Sequence, residues 1–99
     1  MPRAAYTVAA TRDLEETYAF TLEHWGQAQA DGYLQLLRSA CERAAIGAPT
    51  ALRLAHRPDN LFRLRCGRHL IVIRPHDYGA LIVRVLHERM DIDARLQEG

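Results

Sequence analysis

The hydrophobic pattern of the chain changes its period near residue 60, and this change constrains the fold more than any other feature. Before it, apolar residues recur every three to four positions in two segments on either side of Gly26, the spacing of amphipathic helices. After it, apolar residues alternate with charged ones or form short continuous runs as far as His87, which is the pattern of strands. Helices followed by a block of strands are typical of the α+β class.

The helical part is preceded by a short predicted strand at Ala4–Ala9. We expect the first helix to begin at Thr11 or Asp13, because Asp13 and Glu16 have the spacing of a capping box and acidic residues stabilise a helix start. Its apolar stripe consists of Leu14, Tyr18, Leu22 and Trp25. Gly26 supplies the left-handed residue that ends a helix.

A second helix is predicted from Gln27 to Ile46, ended by Gly47 and Pro49. Its core-facing stripe consists of Ala30, Tyr33, Leu34, Leu37, Cys41 and Ala44. Two such stripes separated by a single glycine predict an antiparallel helical hairpin whose apolar face lies on a sheet.

Three strands are predicted after residue 60: Phe62–Arg65, His69–Arg74 and Ala80–His87, separated by turns at 66–68 and 75–79. The first alternates apolar residues with arginines, so one of its faces is exposed to solvent. The second contains four consecutive apolar residues, which indicates a central strand buried on both faces. Such short turns predict an antiparallel meander. Met90–Gln97 can add a short final helix, whereas residues 48–60 show no clear period.

These elements predict one domain over residues 1–99, because a chain of this length has no room for a second core. Its architecture is an N-terminal strand and an antiparallel helical hairpin packed on a small, mainly antiparallel sheet. No apolar run approaches the roughly 18 residues of a membrane span, and no signal peptide is evident, so we expect a cytoplasmic protein. Neither the two cysteines, Cys41 and Cys66, nor the histidines have metal-ligand spacing, and no cofactor is expected.

Several short segments, in this order of elements, resemble the ParE branch of the RelE/ParE toxin superfamily. They are Asp13–Glu16 in the first helix, Trp25-Gly26 and Tyr33-Leu34 in the hairpin, Gly67–His69 before the central strand, and Arg84–Asp91 at the end of the last strand. The likeness covers almost the whole chain. Residues 47–60 match least, and nothing is carried over to them.

The resemblance implies the toxin of a type II toxin–antitoxin system, which poisons DNA gyrase by stabilising its cleaved DNA complex. A ParD-like antitoxin would neutralise it through a C-terminal segment that folds on the toxin. The antitoxin would carry a ribbon-helix-helix DNA-binding domain, so the toxin would reach operator DNA only indirectly. A membrane partner is not implied.

The main alternative has the same fold: RelE-like toxins are ribosome-dependent endonucleases that cut mRNA. Cleavage through the 2′-hydroxyl needs a base, an acid and positive charge at the phosphate. RelE-like toxins use Lys, Arg and a Tyr near the C-terminus, or a Glu/His/Tyr set. This chain has no Lys, and its tail after His87 has no Tyr. An unfamiliar site made of His87, Glu88, Arg65 and Arg74 stays open as an alternative.

Arginine is concentrated in the second half of the chain. Residues 1–50 have four Arg and six acids, whereas residues 51–99 have nine Arg and six acids. The candidates for binding the target are Arg63, Arg65, Arg74, His87 and Arg89. Two interpretations of the arginines are open: solvated strand faces paired with local acids, or a recognition surface for acidic partners. For His69 and His87 we favour hydrogen bonding at the strand ends over proton transfer.

The candidates for binding the antitoxin are apolar and aromatic residues of the helical hairpin, namely Leu14, Tyr18, Trp25, Tyr33 and Leu37. An antitoxin segment can lay a helix on such a surface or add a strand to an exposed sheet edge. Trp25 by itself is interpreted as a core residue in preference to an interface residue.

Overall fold

The structure, a computed structural model, describes residues 1–47, 50–55 and 57–97. Its elements in chain order are β1 (Arg3–Tyr6), α1 (Val8–Trp25), α2 (Gln27–Ala45), β2 (Leu52–Arg53), β3 (Phe62–Cys66), β4 (His69–His76), β5 (Gly79–His87) and α3 (Ile92–Gln97). The strands form one sheet and the two long helices pack against it, so the predicted α+β architecture is confirmed. Pro49, which we expected to help end the second helix, lies outside the described residues.

The five strands are arranged in the order β1-β5-β4-β3-β2. The predicted antiparallel meander is confirmed, since β3 pairs with β4 and β4 with β5 in antiparallel fashion. In contrast, β1 runs parallel to β5, with Ala4 opposite Ala80 and Tyr6 opposite Ile82. Strand β2 was not predicted, because two residues are too few to show a period.

The parallel contact of β1 with β5 depends on Gly79. Its φ is +136°, and a Cβ atom placed there would lie 2.4 Å from the carbonyl oxygen of Arg3. The backbone N–H of Arg3 donates to the carbonyl of Tyr78 at 2.7 Å. Only glycine combines this backbone conformation with so close an approach of the neighbouring strand.

Helix α1 begins earlier than predicted, at Val8 instead of Thr11 or Asp13, and β1 ends at Tyr6. Thr7 is the N-cap residue, and its hydroxyl accepts a hydrogen bond from the N–H of Ala10 at 3.0 Å. The predicted capping box of Asp13 and Glu16 is therefore wrong. The sequence offers two polar start signals within a few residues, and the sheet contacts of Thr7 select the first.

The main core lies between the helical hairpin and the sheet. Leu37 on α2, Ile71 on β4 and Ile82 on β5 are completely buried there, and burial of each such side chain stabilises the fold by about 1.5–3 kcal/mol. Cys41 and Cys66 belong to this core, as predicted for small apolar residues. None of the helices in the described ranges is long and apolar enough to cross a bilayer.

A β-bulge gives the sheet a second core on the face away from the hairpin, which we call the second face. Val72 pairs with Arg84 and Ile73 with Ile82, so Val83 is the extra residue. The bulge allows Ile82 and Val85 to face the main core while Leu86 joins Leu61 and Val72 on the second face. Ile92 and Leu96 of α3 pack against that second core. The predicted final helix is therefore present, beginning at Ile92.

Strand β4 is two residues longer than predicted, because it continues through Pro75 to His76. A proline is tolerated at this point because β3 begins at Phe62, opposite Ile73, and no longer flanks β4. The turn to β5 is correspondingly tight, with His76 paired directly with Gly79.

Candidate functional site

Asp13 joins the first helix to the last strand. Its carboxylate accepts hydrogen bonds from Arg84 Nε at 2.8 Å, from Arg84 Nη2 at 3.0 Å, and from the backbone N–H of Val85 at 2.9 Å. The Asp13 side chain is only 10% exposed and that of Arg84 13%. A bidentate pair of this kind fixes the orientation of both groups as well as neutralising their charges.

The position of Asp13 follows from the shortness of β1. Pairing of β1 with β5 ends where Tyr6 meets Ile82, which leaves the next part of the β5 edge without a neighbouring strand. Side chains of the α1 segment serve that edge instead: the hydroxyl of Thr7 donates to the carbonyl of Val83 at 2.7 Å, and Asp13 accepts from Val85. Buried backbone groups are thereby hydrogen-bonded without a strand.

Arg84 also holds the C-terminal helix, since its Nη1 donates to the carbonyl of Arg95 at 2.9 Å. Asp13 and Arg84 belong to the two segments, 13–16 and 84–91, whose resemblance to known toxins was noted above. The fold brings these segments into contact across 71 positions of sequence. Their resemblance thus marks a structural junction, for which periodicity alone offers no signal.

His69 lies at the start of β4, half-buried between the helices and the strands. Its Nδ1 lies 2.6 Å from the hydroxyl of Tyr33, and its Nε2 lies 3.4 Å from the hydroxyl of Thr17. Because the N–H of Arg68 donates to the Tyr33 oxygen at 3.1 Å, the Tyr33 proton is free to point at His69. This arrangement favours a neutral imidazole, and it fits the expected role of a hydrogen-bonding residue at a strand end.

Burial lowers the pKa of His69 below its ordinary value of 6.5, and the neighbouring imidazole of His87 lowers it further, while Asp13 and Glu88 act in the opposite direction. The rings of His69 and His87 meet edge to face, with their centroids 5.5 Å apart. The same surroundings raise the pKa of the Tyr33 hydroxyl, chiefly through burial. Both groups therefore stay neutral at neutral pH.

A lowered histidine pKa makes the stability of the protein depend on pH. Above pH 6.5 the imidazole is neutral in both the folded and the unfolded chain, so no stability is lost. As the pH falls from 6.5 to the lowered pKa, the unfolded chain takes up a proton that the folded one does not, and the free energy of unfolding decreases. Urea denaturation at pH 7.5 and 5.5 is expected to show this decrease, and the His69→Gln variant is expected to show less of it. Equal pH dependence of both proteins would contradict the role given to His69.

His87 is the last residue of β5 and Glu88 follows it, beside the turn between β3 and β4. The N–H of Arg89 donates to His87 Nδ1 at 3.2 Å, which agrees with the expected hydrogen bonding of the turn. The carboxylate of Glu88 forms a salt bridge with Arg65 and lies 3.9 Å from Arg68 Nη1. Arg65 is thus one of the arginines paired with a local acid.

The target-binding candidates do not form a single cluster. Arg63, Arg65 and Arg74 are exposed on the second face, whereas His87 is only partly exposed and Arg89 follows the strand. Arg65, His87 and Arg89 lie at the end of the sheet where β4 begins. Arg74 lies toward the other end, roughly 15 Å away along β4 at ~3.3 Å per residue. In the part of the chain that the structure describes, Arg63 and Arg74 form no salt bridge.

The antitoxin-binding candidates fall into two groups, and the structure corrects the first. Leu14 and Leu37 are 4% and 0% exposed beneath the hairpin, so a partner cannot contact them on this surface. Tyr33 is partly buried with its hydroxyl engaged by His69, and Tyr18 donates to Asp31 at 2.6 Å. Both tyrosines are partly buried.

Trp25 is 69% exposed, so its interpretation as a core residue is wrong. The stripe that begins with Leu14 leaves the sheet along α1, and Thr21 is buried in the distal part of the helix in place of an apolar residue. Leu22, which belongs to the same predicted stripe, is also exposed, at 42%. Sequence reasoning missed the other exposed apolar residues, which are Val8, Phe20, Leu36, Ile46, Leu52 and Met90. None of them lies on a predicted stripe, and single exposed apolar residues are common on protein surfaces.

Within residues 1–47, 50–55 and 57–97, no group of three or more His, Cys, Asp and Glu is placed to hold a metal ion. The polar groups at the sheet end form hydrogen bonds and ion pairs with each other instead.

The sequence and the fold both have relatives among known proteins. The family model described as the ParE toxin of the type II toxin–antitoxin system parDE matches residues 4–92. Toxin ParE1 of Mycobacterium tuberculosis is 36% identical over 89 residues, which are 89% of this chain and 91% of that protein. Toxin ParE of Escherichia coli is 32% identical over 93 residues, with 93% and 90% covered.

The fold has a match among solved structures. A chain of the chromosomal ParDE toxin–antitoxin system of P. aeruginosa superimposes with a TM-score of 0.71 and 18% identity, covering 88% of this chain and 96% of that one. The sequence relatives and the family model agree with the resemblance noted in the sequence. The chain therefore belongs to the ParE family, the toxins of type II toxin–antitoxin systems.

Proposed function

We propose that this toxin inhibits DNA gyrase by binding it, without chemistry of its own, and that a ParD-like antitoxin neutralises it. The observation that carries the proposal is the match of residues 4–92 to the ParE family. Gyrase is the target that the resemblance to ParE toxins implies. The solved ParDE system supports the antitoxin partner, and operator DNA would be reached only through that antitoxin.

A binding role suits the second face better than a catalytic one. Arg63 and Arg74 are exposed there, and neither is neutralised by a salt bridge with the described residues. Residues 53–89 contain eight Arg and three acids, an excess that attracts an enzyme with DNA bound to it. Arg65 can exchange its salt bridge with Glu88 for a contact with the target.

The sheet end is poorly arranged for cutting RNA. A general base must be free to take a proton from the substrate. Both ring nitrogens of His69 face hydroxyl groups of the protein, those of Tyr33 and Thr17. His87 accepts from the backbone N–H of Arg89 at its Nδ1, and Glu88 is held by Arg65. These contacts favour gyrase inhibition over the RelE-like endonuclease.

The exposed apolar residues at the end of the helical hairpin are the surface that we assign to the antitoxin. Leu22 and Trp25 are 42% and 69% exposed and lie three positions apart on one side of α1. Aromatic residues of this kind contribute much of the affinity at interfaces. The hairpin lies on the sheet face opposite the exposed arginines, so one toxin can present separate surfaces to antitoxin and target.

One assay with two double variants tests both surfaces. The purified toxin, gyrase, supercoiled plasmid and ATP are incubated and the linear DNA is quantified, with an mRNA-cleavage reaction on ribosomes in parallel. We expect linear DNA with gyrase and intact mRNA. Arg63→Gln/Arg65→Gln should need about tenfold more toxin for the same effect, a loss of ~1.4 kcal/mol. Leu22→Ser/Trp25→Ser should poison gyrase normally but need at least about tenfold more ParD-like antitoxin for neutralisation.

Arg12→Gln/Arg43→Gln is the matched control, since it removes two exposed arginines from the helical layer. It should leave gyrase poisoning unchanged. Cut mRNA with unaffected gyrase would refute the proposal in favour of the RelE-like endonuclease. If the control and Arg63→Gln/Arg65→Gln lose poisoning equally, the second face is not the target surface.

A further inference from the structure

An Arg–Tyr–His stack lies beside the turn between β4 and β5. The rings of His76 and Tyr78 are stacked with centroids 3.9 Å apart and an interplanar angle of 27°. The guanidinium carbon of Arg3 lies over the Tyr78 ring, 4.4 Å from its centroid. Two groups this close to one ring must cover its opposite faces, so the order is Arg3–Tyr78–His76. We call these three residues the turn stack.

The outer ends of the turn stack face solvent. Arg3 and His76 are exposed, whereas Tyr78 between them is partly buried. The outer face of the His76 ring can therefore extend the stack by one more flat group. An imidazole already stacked on a tyrosine is held in place, so less side-chain entropy is lost when a further ring is added.

The turn stack is continuous with the exposed arginines of the second face. His76 and Arg74 are two positions apart on β4 and share that face. Arg63 pairs with Val72 across β3 and β4, which makes Arg74 its diagonal neighbour, about 7–8 Å away in the sheet. Positive groups therefore run from the turn stack along the edge of the second core.

Two acidic residues lie near this row, but they do not cancel its positive charge. Asp59 is held mainly by Arg57, whose Nη2 and Nε donate to it at 2.7 and 3.1 Å, and Arg74 makes a smaller electrostatic contribution to the lowering of the Asp59 pKa. Asp77 is exposed in the turn itself. The row itself contains three arginines, Arg3, Arg63 and Arg74.

We propose that the turn stack and the adjacent arginines bind an unpaired strand of nucleic acid. One base stacks on His76, and the phosphates on either side contact Arg74 and Arg63. Aromatic stacking beside a row of positive charge is the arrangement by which proteins hold single strands without reading their sequence. This binding goes beyond the proposed inhibition of gyrase and is tested without that enzyme.

The probes are fluorescein-labelled 15-mers of dT and of rU, with a 15-base-pair DNA duplex for comparison, followed by fluorescence anisotropy at several salt concentrations. Saturable binding to a single strand is expected, and the tighter of the two 15-mers identifies the sugar that is preferred. His76→Ser should weaken binding by about fivefold or more through lost stacking. Arg74→Gln should weaken it too and reduce the slope of log K against log salt by about 0.7, because one phosphate contact is lost.

His24→Ser is a matched control, because His24 is exposed like His76 and stacks on Phe20 of α1 in a similar geometry, with centroids 4.0 Å apart and an angle of 23°. Its effect on binding should be less than twofold. His76 is exposed, so His76→Ser should retain the circular dichroism spectrum and melting temperature of the parent. The proposal is overturned by any of three results: no saturable binding at 50 mM salt to either 15-mer, tighter binding to the duplex, or equal losses in His76→Ser and His24→Ser.

Discussion

Replacing Asp13 with alanine is expected to lower the free energy of unfolding by about 3–5 kcal/mol, the cost of breaking a buried ion pair by removing one partner. The change removes the Asp13 carboxylate from the guanidinium of Arg84 and from the backbone N–H of Val85. Both groups are buried or nearly so, and water replaces the lost bonds poorly. A domain of this size has about 5–15 kcal/mol of stability in total, so urea denaturation will detect the loss easily.

Two further variants make this result specific. Glu15→Ala removes an exposed acid from the same helix and should change stability by no more than about 0.5 kcal/mol. The double change Asp13→Leu/Arg84→Met removes both charges and should recover part of the loss, because no buried charge is then left uncompensated. A loss below about 1 kcal/mol for Asp13→Ala would mean that Arg84 and Val85 find other partners.

The Gly79→Ala variant is expected to lose about 3 kcal/mol or more of stability. At φ +136° a side chain strains the backbone, which costs about 1–3 kcal/mol. In addition, the new Cβ would lie 2.4 Å from the carbonyl oxygen and 2.7 Å from the nitrogen of Arg3. Since both are backbone atoms, β1 must move away from β5, and hydrogen bonding between the two strands is lost. Hydrogen exchange of the Ala5 amide should be accelerated together with the drop in melting temperature.

Gly26→Ala is the matched control for this change. Gly26 also has a positive φ, of +88°, but a Cβ placed there meets nothing within 4 Å. The Gly26→Ala variant is therefore destabilised only by backbone strain. If Gly26→Ala and Gly79→Ala were equally destabilised, the close approach of Arg3 would contribute nothing.

Most of the secondary structure could be predicted because it depends on residues close together in sequence. The stripe of α2, the ending of α1 at Gly26 and the alternation in β3 are local patterns, and all are found in the structure, whereas the stripe of α1 is buried only at Leu14. The errors also have local causes. The start of α1 was placed too late because Thr7 and Asp13 offer competing polar start signals, and β4 was ended before Pro75 because proline ordinarily interrupts a strand.

The candidate site was predicted less well than the fold. Arg63 and Arg65 were found from the alternation of β3, and their exposure follows from that period, whereas Arg74 was predicted only as the end of a continuous apolar run. Leu14 and Leu37 were chosen as contact residues because they are apolar, yet an apolar stripe at helical spacing belongs first to the core. Trp25 was interpreted as a core residue but is exposed, because α1 leaves the sheet before it reaches Trp25.

The sequence by itself determined the class of fold, the helical hairpin, the meander and the family, because periodicity and short motifs are properties of the linear sequence. The tertiary structure alone decided which residues meet: Asp13 with Arg84, Tyr33 with His69, and Arg3 with Tyr78. These partners are 71, 36 and 75 positions apart. No local propensity encodes such contacts, because they exist only when the packing of the whole core has brought β5 between β1 and β4.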